Sequence, residues 1–251
     1  MRLYFGLNIF LLSLFAFGED IDYQFHWLSL PVAKLSINYN GLLYLDDQVK
    51  FKLLTQGPLK LYRNYYTSGY VKKYNENNWD YYLSGEDRGQ PEEKLISYFS
   101  GGLPIIRKFI DDSGVSPIKI DSQLDKGALD PLTALLRAIK KLSIKKNCSD
   151  TYIIFDGKRR YNIALSLIGK ENLKQEKRHT YHGSSYHCRL TMFEKNLRAI
   201  KKSRKIWPFN GGRKSLDIWF SEDLDFIPVK FQIKAPIGIL VGRLLVEEEI
   251  K

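Results

Sequence analysis

Apolar and polar residues alternate along most of this chain. Val32, Lys34, Leu35, Ser36, Ile37, Asn38 and Tyr39 follow a period of two, the sign of a half-buried strand. Asn40-Gly41 is a hairpin-turn dipeptide, and the pattern resumes over Leu42–Leu45 and Val49–Leu53 until Gly57-Pro58 breaks it. Ile21–Leu30 reads as an aromatic-rich lead-in. Tyr62, Tyr65, Tyr66, Tyr70, Tyr74, Tyr81 and Tyr82, with Trp79, suit strands with one wet face. Ser84–Glu93 reads as a polar loop, and Lys94–Phe99 and Ile105–Ile110 as two strands around Gly101-Gly102. Further on, Tyr186, Cys188, Leu190 and Met192 face one way and His187, Arg189 and Thr191 the other. Near the end, Leu216, Ile218 and Phe220 alternate with Asp217 and Trp219. Ile227, Val229, Phe231 and Ile233 alternate with Lys230, Gln232 and Lys234, and Ile239–Val246 closes the series.

A helical period occurs convincingly once. Asp130 is placed to cap and Pro131 to open a helix. Leu132, Leu135, Leu136, Ile139 and Leu142 then make one apolar stripe, with Arg137, Lys140 and Lys141 toward the end that favours cations. About ten to twelve strands follow one another at turn-like spacing, with no strand–helix alternation. The expectation is a mostly β fold: a strongly curved antiparallel sheet or half-closed barrel with one main helix packed on it. A β-sandwich is the alternative.

Residues 1–18 change the picture of compartment. Arg2 precedes an apolar run from Leu3 to Phe17, and Ala16-Phe17-Gly18 resembles a leader cleavage site. A cleaved leader over 1–18 and a single β-rich domain over 19–251 are expected, with a periplasmic location. Two cysteines in an exported chain predict one disulfide, Cys148–Cys188. Lys plus Arg number 39 against 28 Asp plus Glu, a net charge of +11. Such a balance suits anionic partners, and export turns the expectation from nucleic acid toward lipid headgroups.

The central stretch runs from Asn147 to Met192, a hairpin of long strands with the cysteines near its ends. Within it, Phe155-Asp156-Gly157-Lys158-Arg159-Arg160-Tyr161 sets two arginines beside a hairpin-type Asp-Gly pair. Asp156, Arg159, Arg160 and Tyr161, with Trp219, are candidate ligand-binding residues, because arginine pairs well with phosphate or carboxylate. The same stretch read without a ligand is a turn. The basic segment 194–214 carries Lys201, Lys202, Arg204 and Lys205 with Trp207 and Phe209, a mixture that suits an anionic membrane surface or a solvated loop. His179, His182 and His187 lie near Cys188, but their spacing is no recognised ligand set, and neither metal nor cofactor is expected. Glu222, Asp223 and Asp225 read as a solvated acidic turn, and no Gly-x-Ser-x-Gly is present.

The order of Leu129-Asp130-Pro131-Leu132, Phe155–Tyr161, Tyr181-His182-Gly183 leading to Cys188, Ile218-Trp219-Phe220, Pro228-Val229 and Pro236-Ile237-Gly238 resembles domain-of-unknown-function family 3108. The resemblance covers most of the chain after the leader, and segment 194–214 departs from it in its basic richness. It implies an exported protein of Gram-negative bacteria with a mostly β fold and no established activity, so it supplies no catalytic residues. In shape, such proteins are similar to curved-sheet periplasmic carriers of lipids and lipoproteins. The expected function is non-enzymatic binding of a lipid or other amphipathic envelope component. A structural or adaptor protein with an envelope protein partner is the alternative, and a glycan or peptide hydrolase a third. A hollow interior separates the first from the second.

Overall fold

The computed structural model describes residues 19–39, 48–112, 116–176, 179–193, 214–234 and 238–246. The leader, the Asn40-Gly41 turn, Leu42–Leu45 and most of the basic segment lie outside them. The elements are β1 (Glu19–Trp27), β2 (Leu30–Tyr39), β3 (Gln48–Thr55), α1 (Gly57–Tyr62), β4 (Tyr65–Lys73), β5 (Asn78–Asp87), β6 (Gln90–Phe99) and β7 (Ile105–Asp111). After these come α2 (Pro131–Lys145), β8 (Asp150–Phe155), β9 (Arg160–Leu173), β10 (Gly183–Phe193), β11 (Lys214–Ser221), β12 (Pro228–Lys234) and β13 (Ile239–Leu244).

All thirteen strands form one antiparallel sheet, in the order β7-β6-β5-β4-β3-β2-β1-β13-β12-β11-β10-β9-β8. Strands pair with their sequence neighbours except between β7 and β8, and β1 meets β13 to join the two halves. A single rolled sheet replaces the sandwich alternative. The strand count exceeds expectation partly because the aromatic lead-in is itself β1. The stretch read as a polar loop is two strands joined by Arg88-Gly89, both with positive φ. Such a pair makes a two-residue turn whose twist matches its strands. Gly57-Pro58 does not simply break the sheet but opens the short α1, which buries Leu59.

Edge strands β7 and β8 are not hydrogen-bonded to each other. Side chains from β5 and β6 span the opening instead. The Trp79 indole donates to Asp130 Oδ2 at 2.8 Å, the Tyr98 hydroxyl to the Phe155 carbonyl at 2.6 Å, and Lys94 Nζ to the Asp156 carbonyl at 3.2 Å. Residues 116–130 form a strap past β8, with Ile118 N–H to Gly157 O and Leu129 N–H to Ile153 O. Gly157 has φ +82, and a Cβ there would meet Ile96 Cδ1 at 3.1 Å, so glycine lets this turn press on β6 and β7.

Helix α2 starts as its sequence dictates. Asp130 Oδ1 accepts the Thr133 N–H at 2.8 Å, Pro131 follows, and Lys146 ends the helix in the left-handed region. Ala134, Ala138, Ile139 and Leu142 are its buried residues, whereas Leu132, Leu135 and Leu136 are only partly covered. The helix meets the core through two small and two large side chains. The main cluster runs from Tyr23 of β1 to Leu244 of β13. The expected Cys148–Cys188 disulfide is present, both residues fully buried.

Candidate binding cavity

Strand alternation builds the cavity. On β3, Leu53 and Thr55 point inward while Lys50 and Lys52 are exposed outside. The same period brings Phe25, Leu35, Leu83, Ile233 and Leu240 to one concave wall. The interior is only partly filled: a smaller hollow of about 280 Å³ lies against Thr133, Leu136, Arg137 and Lys140 of α2, and a larger one opens beside the helix. The larger hollow measures about 500 Å³, within the range of small-molecule sites, about 300–1,000 Å³.

One end of the cavity is charged. Arg63 forks onto Asp87, with Nε–Oδ1 at 2.9 Å and Nη2–Oδ2 at 2.7 Å. Glu92 takes Lys94 at 3.1 Å and Lys158 at 2.9 Å, and Lys158 also reaches Asp111 at 2.6 Å. Burial pushes the Glu92 carboxyl up, but Lys94 and Lys158 outweigh it and hold it below the usual carboxylate range. Burial and the nearby Glu92 push the Tyr65 hydroxyl up to about 12, so it lines the cavity as a neutral group.

Arg159 is different. Asp156 Oδ1 accepts the backbone N–H groups of Lys158 at 2.9 Å and Arg159 at 2.7 Å, closing the turn that carries the arginine. The guanidinium itself comes no nearer than 3.6 Å to Asp156 Oδ2, too long for a hydrogen bond. Its Nε is buried without a partner. Among the described cations lining the cavity, Arg159 has the longest carboxylate contact.

Of the five expected ligand-binding residues, Asp156 and Arg159 line the cavity and three do not. Arg160 forks onto the fully buried Asp125 and donates to the Lys119 carbonyl at 3.1 Å, fastening the strap. Tyr161 lies in the core, where burial pushes its hydroxyl up. Trp219 is buried too, but strand alternation turns it away from Ile218 and Phe220 along β11, and it does not line the cavity. It stacks on His187 at 4.3 Å and donates to Glu171 at 2.9 Å. Lys201, Lys202, Arg204, Lys205, Trp207 and Phe209 lie outside the described residues.

His187 is held between Glu171 at 2.8 Å and Asp217 at 3.1 Å, and Cys188 is in the disulfide. Among the described residues no group of three or more His, Cys, Asp or Glu is placed to hold a metal. In the acidic turn, Glu222 pairs with Lys146 and Lys170. Sequence reasoning missed Arg63, Asp87, Glu92 and Lys94. One signal was available for two of them: Glu92 and Lys94 share the parity of the buried Ile96 and Tyr98 on β6.

The depressed Glu92 gives a pH prediction. Its folded pKa lies below its unfolded one, so its contribution is present above the ordinary value of 4.5 and is lost as pH falls through the folded value. Melting temperature should drop with acidification below that value, and less steeply in Glu92→Gln. Parallel curves for the two proteins would exclude this contribution.

The matching family model is "Protein of unknown function (DUF3108)", over residues 56–244. None of the curated proteins matches this chain. Among solved structures, the chain is similar to a beta-barrel-like protein of the domain of unknown function DUF1849 from Brucella abortus. The TM-score is 0.59 at 9% identity, covering 90% of this chain and 95% of that one. Identity that low speaks for the fold alone: β-barrel-like, as the rolled sheet is. Taken with the family match over most of its length, this makes the chain a member of the DUF3108 family.

Proposed function

We propose that this chain is a non-enzymatic, periplasmic binding protein that takes an elongated amphipathic molecule, a lipid above all, into its cavity. The observation that carries the reading is a hollow of about 500 Å³ with apolar walls and a charged end where Arg159 is held only by a 3.6 Å contact to Asp156, its Nε making no hydrogen bond. Apolar walls reward burial of a hydrocarbon chain at about 25 cal/mol per Å². The loosely held guanidinium suits a carboxylate or phosphate head, which arginine can grip with two parallel hydrogen bonds. The cavity's carboxylates support binding over hydrolysis. Asp87 pairs with Arg63, Glu92 with Lys94 and Lys158, and Asp156 accepts backbone N–H groups, so each is committed to a structural contact.

Mass spectrometry of lipids extracted from natively purified protein should find a bound amphiphile. A fluorescent fatty acid should also enter the emptied cavity. Arg159→Ala should weaken that fatty acid by about tenfold or more, the worth of a charge-assisted hydrogen bond, and leave the matching fatty alcohol unchanged. Absence of both a co-purifying amphiphile and probe uptake would end this reading.

A further inference from the structure

The end of the sheet where the cavity's apolar wall stops carries exposed apolar residues with no structural task. Leu61 and Tyr62 of α1 are 94% and 82% exposed, and Leu28 in the β1–β2 turn is 62% exposed. Leu30 and Ile239 are exposed beside them. These residues are neighbours. Trp27 pairs with Leu30 on one side and Leu240 on the other. A Cβ on Gly238 would touch Leu28 Cδ2 at 2.7 Å. Helix α1 lies along β2, where Gln56 N–H meets Val32 O at 2.7 Å. Directly beneath, Val32, Leu59, Ile233 and Leu240 form a small cluster, and all four line the cavity.

Leu28 is also costly where it stands. Leu28 and Ser29 have φ of 48° and 70°. A turn with positive φ at both central residues favours asparagine and glycine. An apolar side chain in the left-handed region, pointing into water, stabilises neither turn nor core, and such outliers concentrate at functional contacts.

Charge argues for what covers this rim. Lys60 and Lys234 are exposed at the same end. The chain from Glu194 to Arg213 leaves from Phe193 and returns at Lys214. Ser215, the next residue, is level with Lys234, because Leu216 pairs with Ile233. That stretch contains Lys195, Arg198, Lys201, Lys202, Arg204, Lys205 and Arg213 against one acid, Glu194. Exposed apolar side chains beside Lys60 and Lys234, at the end where this basic stretch joins the sheet, match a bilayer with anionic headgroups, where each nearby cation adds about 1 kcal/mol. We infer that Leu28, Leu30, Leu61, Tyr62 and Ile239 form a docking rim that dips into an anionic bilayer at the cavity's apolar end. This inference builds on the cavity reading by giving the ligand its point of entry, yet fails or holds by a separate measurement.

The test labels the full chain carrying Tyr62→Cys with an environment-sensitive fluorophore and adds vesicles of phosphatidylethanolamine with phosphatidylglycerol. A blue shift on mixing is expected, and little or none with phosphatidylcholine alone. Adding Leu28→Asp and Leu61→Asp should weaken the half-saturating lipid concentration by about tenfold or more, the worth of two partly immersed leucines. The same variant should still take the fluorescent fatty acid from solution. A label that stays water-exposed with anionic vesicles overturns the rim even if the protein sediments with them. A label already shielded without lipid also overturns it, since segment 194–213 or a second copy would then cover the surface. Loss of fatty-acid uptake in the unmodified chain strikes the cavity reading and not the rim.

Discussion

Arg160→Ala is expected to lower the unfolding free energy by about 3–5 kcal/mol, the cost of stranding one partner of a buried ion pair. The partner, Asp125, is fully buried and receives Nε and Nη2 of Arg160 as a fork. Asp125 also accepts the Asp121 N–H at 2.8 Å, while its own backbone N–H donates to Asp121 O. The pair thus fixes the strap over residues 116–130, which crosses the opening between the edge strands. Without the guanidinium, Asp125 must stay charged in the interior, take up a proton, or pull the strap open to water. Urea unfolding should show a lower midpoint at unchanged slope. Asp125→Leu combined with Arg160→Met should recover much of the loss, because no lone charge remains. A single-variant cost below about 1 kcal/mol would put the pair with ordinary surface bridges.

The second large effect concerns the Cys148–Cys188 bond. It joins the residues before β8 to β10, across the intervening β9, so it pins an edge strand to the third strand in. The bridge spans 40 residues of sequence, a loop that by chain entropy adds about 3–4 kcal/mol. Cys148→Ala with Cys188→Ala should lose roughly that much. The loss should be local in its first effect: amide exchange along β8 should rise before that along β1 and β13. The edge has a full strand on one side and only the strap's Leu129 on the other, whereas β1 and β13 are paired with strands on both. Uniform acceleration across the sheet would show instead that the bond acts only on the unfolded chain.

Much of the architecture was legible because strands and helix caps are local. Alternation at Leu216–Phe220 and Ile227–Ile233 marked β11 and β12 before any coordinate. Asp130-Pro131 marked the start of α2 to the residue. Arg88-Gly89 escaped notice because its flanks are polar, although the parity of Glu92 and Lys94 with Ile96 and Tyr98 continues the strand. Of the expected apolar stripe on α2, Ile139 and Leu142 are buried and Leu132, Leu135 and Leu136 only partly so, while Ala134 and Ala138 complete the buried face.

The site was legible by half. Arg159 and Arg160 are adjacent and chemically identical, yet one lines the cavity and the other is locked to Asp125, 35 residues away. Nothing in the neighbourhood of either arginine separates them, because the difference is made by a distant carboxylate. By itself the amino-acid order settled the β character, the helix start, the cysteine pair and the family, all of which depend on neighbours along the chain or on the mere presence of residue types. Only the tertiary structure decided that the sheet rolls without closing, that a hollow remains beside α2, and which lining cation is held most loosely. Those outcomes depend on which side chains meet across the seam, and that is fixed by the register and curvature of thirteen strands together.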